Sequence, residues 1–355
     1  MANMQETEDW MQEYIRKYGY VNLGGGLSEQ YAEEIISNPH IDTVQISKPI
    51  SERSWTLLND TILTERKDIW IRVYGFYATV CDLKFLNLIP RVEKLSIDSI
   101  DDSINIESIS ELQFLKALNL QVYDLKSFDL IADIGESITD LRLGRTKSKK
   151  PNLAFLQSYK NLKNLSIHGH KKHLHIIGEL SKLESLSLAG ITVDNFNFLG
   201  QLPLLEELFL DLVKCEDFCS LKDLNLKGFG LSEIRGMTDL SFISHLKKLQ
   251  CLSLSSLNKV TTLPEFMHTP QLKRVFIENM KALEKISTLF NCTQLVDLIF
   301  RMDSTNLTPR DFEPLVHMKE LKFATIGTGS VKKNEQIDKL LTGKNINQYY
   351  DFEYQ

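Results

Sequence analysis

No stretch of this sequence approaches the roughly 18 uninterrupted apolar residues of a membrane-crossing helix. The N-terminal MANMQETEDWMQEYIRKYGY has acidic residues early and no apolar core of signal-peptide length. A cytoplasmic protein without membrane association is expected. Cysteine is scarce: Cys81, Cys215, Cys219, Cys251 and Cys292 are an odd number, widely spread, with no C-x-x-C pair. That argues for free thiols and against a disulfide framework. Excess charge is also small. Lys and Arg number 41 against 47 Asp and Glu, a net −6, the wrong sign for bulk nucleic-acid binding. Catalytic signatures are missing too: there is no G-x-S-x-G, H-E-x-x-H or P-loop. Gly24-Gly25-Gly26 is not followed by Lys-Ser/Thr and reads as a turn. With no nucleophile and base, carboxylate pair or metal triad to assemble, neither enzyme activity nor a cofactor is expected.

What the chain has is a repeat. Within Leu180–Leu212 the figure Leu183-x-x-Leu186-x-Leu188 returns as Leu205-x-x-Leu208-x-Leu210. Earlier matches begin at Tyr18, Ile41, Asp68, Val92, Leu115, Ile138 and Leu162, and later ones at Leu221, Leu249, Leu272, Leu295 and Met318. Most steps are about 21 to 24 residues, the period of stacked units that each supply one strand and one return segment. Neither part buries its apolar side alone, so neighbours must stack into a quasi-one-dimensional array. A chain of 355 residues exceeds what one ordinary core serves, and an array of about 13 or 14 strands accounts for it. Hydrophobic residues at 43% and charged residues at 25% are those of an ordinary folded protein.

The return segments have their own period. Six residues before the first slot stand Leu86, Ile109, Leu156, Ile177, Leu199, Ile243, Phe266, Leu289 and Phe312. Three before it stand Ile89, Leu112, Tyr159, Leu180, Leu202, Leu246, Cys292 and Leu315. Spacings of three predict a helical or 3₁₀ turn packed on the sheet, and Cys292 then takes a leucine's place as a core thiol. The step from Leu205 to Leu221 is short and the next, to Leu249, is correspondingly long, which predicts a kink or bulge around Val213 to Met237. Ser28–Ser37 reads as a helix capped by Ser28 and ended by Asn38-Pro39. Residues 1–17, with Trp10, Met11, Tyr14 and Ile15 at helical spacing, are expected to cap the first strand. Residues 18–325 are the repeats. Residues 326–355, with a helix over Val331–Leu341 stopped by Gly343 and the aromatic end NINQYYDFEYQ, close the other end. With no linker or composition break, one domain is expected over 1–355.

The L-x-x-L-x-L figure with its apolar return resembles the leucine-rich repeat superfamily over about Tyr18 to Phe323, and most closely the 22-residue bacterial class, as in internalins. The resemblance implies an α/β solenoid: a curved horseshoe with a parallel sheet on the concave face, turns or short helices on the convex face, and protein partners bound mostly on the concave side. The sequence departs from the family twice. The Asn or Cys a few residues after the last apolar slot is mostly replaced, as at Tyr123, Thr146, Ile191 and Val213. The secretion signal and wall anchor of internalins are absent.

In a strand, alternate side chains face opposite ways, so the residues between the leucines form the outward face. These are Trp70, Arg72 and Tyr74; Lys94, Ser96 and Asp98; Arg142; Glu207, Phe209 and Asp211; Arg274, Phe276 and Glu278; and Asp297, Ile299 and Arg301. Small polar residues suffice there, as at Thr43, Gln45 and Ser47 or Ser185, Ser187 and Ala189. Large aromatics and arginines are interface types. The candidate partner-binding residues are therefore Trp70, Arg72, Tyr74, Arg142, Glu207, Phe209, Asp211, Arg274, Phe276, Glu278, Ile299 and Arg301, unless a cap, a loop or a dimer mate covers them. Cys251 also points outward, as a lone thiol. His168, His170, His173 and His175 are half of the eight histidines, at spacings that can hold Zn²⁺, but nothing nearby in sequence completes a site and no metal is assigned. Arg142, Arg145, Lys147, Lys149 and Lys150, stacked beside Lys171 and Lys172, make a basic ridge. The reading is a soluble, non-catalytic module that binds a protein partner. The alternatives are a bacterial immunity protein or inhibitor, and a metal- or nucleic-acid-linked role at the ridge.

Overall fold

Strands here follow from two requirements: leucines at alternate positions need a buried face, and each strand needs hydrogen-bonding neighbours, which the adjacent repeats provide. The computed structural model describes residues 15, 17–75, 80–99 and 103–346. The expected N-terminal cap over residues 1–17 lies outside these, apart from Ile15, which is buried, and Lys17; so does the aromatic end beyond residue 346. The chain divides into two compact units, Met1–Ile176 and Ile177–Gln355, and each is built of parallel strands, one to a repeat.

In the first unit the strands are β1 (Tyr20–Asn22), β2 (Thr43–Ile46), β3 (Trp70–Tyr74), β4 (Lys94–Ser99), β5 (Ala117–Val122), β6 (Asp140–Leu143) and β7 (Asn164–His168). Each pairs in parallel with the next, in the register of the repeat: Ile71 beside Leu95, Leu95 beside Leu118, Leu118 beside Leu141, Leu141 beside Leu165. The early returns are α-helices, α1 (Glu29–Ser37), α2 (Glu52–Asp60) and α3 (Ile62–Glu65). Ser28 caps α1, its hydroxyl accepting from the Tyr31 amide at 3.2 Å. Later returns tighten to 3₁₀ turns. There Leu156, three residues before Tyr159, accepts the Tyr159 amide, and both side chains are fully buried. Tyr159 holds a leucine slot because its hydroxyl reaches the Ile131 carbonyl at 2.7 Å, which satisfies the polar tip of an otherwise apolar ring.

In the second unit the strands are β8 (Ser185–Ala189), β9 (Glu207–Asp211), β10 (Gly228–Ser232), β11 (Cys251–Ser255), β12 (Arg274–Glu278), β13 (Asp297–Arg301), β14 (Phe323–Gly327) and β15 (Asn345–Ile346). All pair in parallel in chain order. Helix α4 (Val331–Leu340) follows β14. It buries Ile337 and leaves Val331 75% exposed, so its apolar face begins later than the sequence pattern suggested. Lys333 ties it down, donating to the carbonyls of Thr305 and Leu307 at 2.9 Å each.

Two expected strands are shifted. The repeat expected at Leu221-x-x-Leu224-x-Leu226 is Leu226-x-x-Phe229-x-Leu231: Phe229 lies beside Leu208 and Leu231 beside Leu210. Leu221 belongs to the 3₁₀ return instead. First slots at Leu205, Leu226 and Leu249 restore nearly even steps, and the irregularity that suggested a kink disappears. The last repeat likewise starts at Leu321, not Met318, since Ala324 pairs with Leu298 and Ile326 with Phe300. The longer step from Leu295 is taken up by a nine-residue 3₁₀ return, Pro309–His317, with a Thr308–Asp311 capping box. In both cases the buried slot selects for bulk and position. Leucine itself is not required, and burying such a side chain contributes about 1.5–3 kcal/mol whichever apolar residue supplies it.

The turn chemistry explains the missing Asn and Cys. In the second unit the residue directly after each of five successive strands has positive φ: Gly190 (62°), Leu212 (50°), Glu233 (50°), Ser256 (55°) and Asn279 (48°). Each donates its amide to the last carbonyl of the following strand, as Leu212 does to Ser232 at 3.0 Å. The left-handed residue, and not a turn side chain, carries the ladder past the strand end.

Candidate partner-binding surfaces

On the first unit, the outward residues of β3 and β4 bind mainly one another. Arg72 Nε donates to Asp98 Oδ2 at 2.6 Å, and Arg72 Nη1 to Gln45 Oε1 at 3.2 Å. The guanidinium carbon sits 4.9 Å from the Tyr74 ring centre, and Tyr74 Oη donates to Asn22 Oδ1 at 3.0 Å. Asp98 also accepts from Ser96 and Asn119. The Trp70–Arg72–Tyr74 cluster is thus brought together, but its arginine is already engaged. Between Trp70 and Arg142 lies a shallow polar hollow of about 320 Å³. Arg142 is exposed at its far side.

The histidines do not converge. His170 is 3% exposed; its Nε2 lies 2.9 Å from the Gly144 carbonyl, and its ring meets Phe128 edge-on at 4.9 Å. Burial lowers its pKa, only partly offset by that hydrogen bond, so it is a neutral donor that fastens two turns. His173 and His175 are exposed, with ring centres 6.0 Å apart. Among the described residues no group of three or more His, Cys, Asp or Glu side chains could hold a metal ion.

On the second unit the outward residues fall into rows across the strands. One row runs Ser187, Phe209, Gly230, Ser253, Phe276, Ile299, Thr325. Phe209 is 38% exposed. Its ring leans across Gly230, where an added Cβ would fall 2.5 Å from Phe209 Cδ1. Three strands on, Phe276 and Ile299 are half-buried neighbours. Between the aromatics the strands offer small residues, Gly230 and Ser253, so the face is a low floor between raised apolar side chains. The next row sets Asp211, Glu278 and Arg301 along one edge, with Glu278 and Arg301 exposed.

Arg274 departs from the expectation of an open arginine. It is 8% exposed and Asp297 beside it 2%, with Arg274 Nε and Asp297 Oδ2 at 2.8 Å. Phe276 covers the guanidinium with its ring centre 4.5 Å away. Burial raises the Asp297 pKa, and Arg274 opposes that shift. Cys251, next to Arg274 in register, is half-buried, and burial pushes its thiol up to about 11 despite Arg274. It is protonated and unreactive at neutral pH. Cys292 is buried as expected, its thiol pushed up to about 12.

One residue at this surface escaped the sequence reading. Leu212, at the end of β9, is 38% exposed and left-handed, a conformation that costs a non-glycine residue about 1–2 kcal/mol. Its equivalents are Gly190, Glu233, Ser256 and Asn279, of which Gly190 and Asn279 are the types suited to it. Its position after the strand, where outward parity no longer applies, is why alternation did not find it.

Every repeat described joins a short parallel strand, L-x-L to the inside, to a return that buries apolar residues three apart. The fold is that of a leucine-rich repeat protein. The mouse RP105/MD-1 complex is similar with a TM-score of 0.51 at 14% identity, over 86% of this chain and 58% of that chain. An internalin of Listeria monocytogenes matches with a TM-score of 0.49 at 18% identity, over 90% of this chain and 89% of that one. A leucine-rich repeat protein of Leptospira interrogans matches with a TM-score of 0.45 at 17% identity, over 95% and 97%. At these identities the likeness is one of fold. No protein-family model matches the sequence, and no curated protein does. Among the described residues, no helix of this leucine-rich repeat chain is long and apolar enough to cross a membrane.

Proposed function

We propose that the protein is a non-catalytic binding module that seats a protein partner on the outward sheet face of its second unit. Phe209 and Leu212 are the anchors on one side, and Phe276, Ile299 and Arg301 those on the other. Asp211 and Glu278 form the polar edge. The observation that carries this reading is Phe209: a large ring left 38% exposed on a strand whose core contacts are made entirely by Leu208 and Leu210 on the opposite face. Apolar anchors ringed by charge are the usual composition of a protein interface. Glu207, half-buried at the start of β9, lies at the rim. Trp70, Tyr74 and Arg142 of the first unit form a smaller candidate patch, with Arg72 as its support. Arg274 supports Phe276 from beneath.

The test is affinity capture from the source cell with the wild-type protein and with Phe209→Ala and Arg301→Glu variants. Loss of a central anchor costs about 2 kcal/mol or more, roughly 30-fold in affinity. The variants should lose the partner at an unchanged melting temperature. If both keep it, or if both unfold, the surface is not the binding site.

A further inference from the structure

The strongest charge segregation in the molecule lies elsewhere. From Leu141 to Ile176 the sequence has nine Lys and Arg and no Asp or Glu. Subtracting these nine from the net −6 leaves −15 for the rest of the chain. Seven of the nine, Arg142, Arg145, Lys147, Lys149, Lys150, Lys171 and Lys172, sit at the end of β6 and on the turns after β6 and β7, and all seven are exposed. None has an ion-pair partner among the described residues.

The turns that bear them are fixed to each other. His170 joins the second turn to the Gly144 carbonyl at 2.9 Å. The Leu153 amide donates to the Lys172 carbonyl at 3.0 Å, and Lys172 Nζ reaches the Lys150 carbonyl at 3.4 Å. Gly169 keeps its turn close to Arg145, whose Cγ lies 3.7 Å from the place of a Cβ. Left-handed Gly169 and His173 (φ 81° and 59°) shape the second turn. A cluster of like charges on pinned turns destabilises the free protein by self-repulsion. It pre-organises an anion site, because little ordering is left to be done on binding.

We propose that these two turns are a docking surface for an acidic, Asp- and Glu-rich segment of a polypeptide partner. Charge complementarity selects the class. The acidic remainder of the chain repels a long polyphosphate that extends past the ridge, whereas a short carboxylate-rich segment can end within it. Apart from histidine, residues 144–150 and 169–173 carry no ring side chain on which bases could stack. This surface is independent of the apolar face of the second unit, and either can fail without the other.

The test is fluorescence anisotropy of the full chain with a labelled oligoglutamate peptide, and with a labelled single-stranded oligonucleotide and a DNA duplex of matched charge. The peptide should bind, weakening about tenfold when Lys149→Glu is combined with Lys171→Glu, and again when salt is raised from roughly 50 to roughly 300 mM. The control pair Lys247→Glu with Lys248→Glu makes the same net-charge change at exposed positions of the second unit and should leave binding within about twofold. If the ridge pair lowers the melting temperature, Lys149→Gln with Lys171→Gln replaces it. No peptide binding at low salt, equal loss from both pairs, or tighter binding of either nucleic acid would each overturn the proposal.

Discussion

Replacing Arg274 by alanine should damage the second unit severely at neutral pH and much less in acid. Asp297 is 2% exposed and its ion partner is Arg274 at 2.8 Å. Removing one member of a buried pair leaves the other charge uncompensated, at a cost of about 3–5 kcal/mol. The truncation also removes the cation beneath the Phe276 ring. The pH dependence has a definite sign. Burial already raises the folded-state pKa of Asp297, with Arg274 holding it down in part, so the Arg274→Ala protein has it higher still. An acid whose folded pKa lies above its unfolded value of about 3.9 binds more protons folded than unfolded. Stability therefore falls as pH rises through that window and returns as pH drops below the folded pKa. Because stability in a repeat array is close to a sum over neighbours, hydrogen exchange of the β12 and β13 amides reads the loss directly, with urea unfolding alongside at about pH 7 and about pH 4.5. Arg274→Met combined with Asp297→Leu should recover to within about 1 kcal/mol of wild type, since packed apolar residues replace such pairs at little cost. A penalty below about 1 kcal/mol at pH 7, or one that does not shrink in acid, would show that water reaches the pair and that Arg274 does not compensate a buried charge.

Two further outcomes follow from the repeat geometry. Leu212→Asn should leave stability unchanged or raise it by about 0.5–1 kcal/mol in urea melts, because the left-handed strain is relieved, while partner capture falls; a marked destabilisation would make Leu212 structural. Phe229→Ala, in a slot 1% exposed, should cost about 3–5 kcal/mol and half-buried Leu224→Ala only about 1 kcal/mol; the reverse order would restore the strand at Leu221.

The repeat was legible because its signal is periodic and its core slots repeat the same physical demand. The two misplaced strands show where that signal misleads. Leu221-x-x-Leu224-x-Leu226 is a complete leucine figure that does not form the strand, whereas Leu226-x-x-Phe229-x-Leu231 is an imperfect one that does. Evenness of step would have chosen correctly there but not at the last repeat, where the step from Leu295 to Leu321 is longer than that to Met318 because the Pro309–His317 return takes it up. At the sites, alternation gave direction but not depth. Arg274 and Asp297 do lie on the outward face, yet they are adjacent in register and withdraw from solvent into each other. That pairing was present in the sequence as opposite charges one repeat apart. It becomes visible only once the strands are registered. Arg72 was hidden in the same way, its partner Asp98 lying two residues from its register neighbour Ser96.

Setting these self-satisfied groups aside sharpens the case for β9. Gly230 leaves room for the Phe209 ring to lean across β10, since a side chain there would collide with the ring where it now stands. Glycine within a strand costs about 0.5–1 kcal/mol relative to alanine, and a ring left 38% exposed returns only part of its burial energy. Leu212, three residues on, adds backbone strain that Glu233 and Ser256 share after the next two strands and that Gly190 and Asn279 avoid. Three departures from optimal stability thus fall at one strand end and its neighbour. On the proposed function, a partner seated against Phe209 and Leu212 is the constraint that retains them.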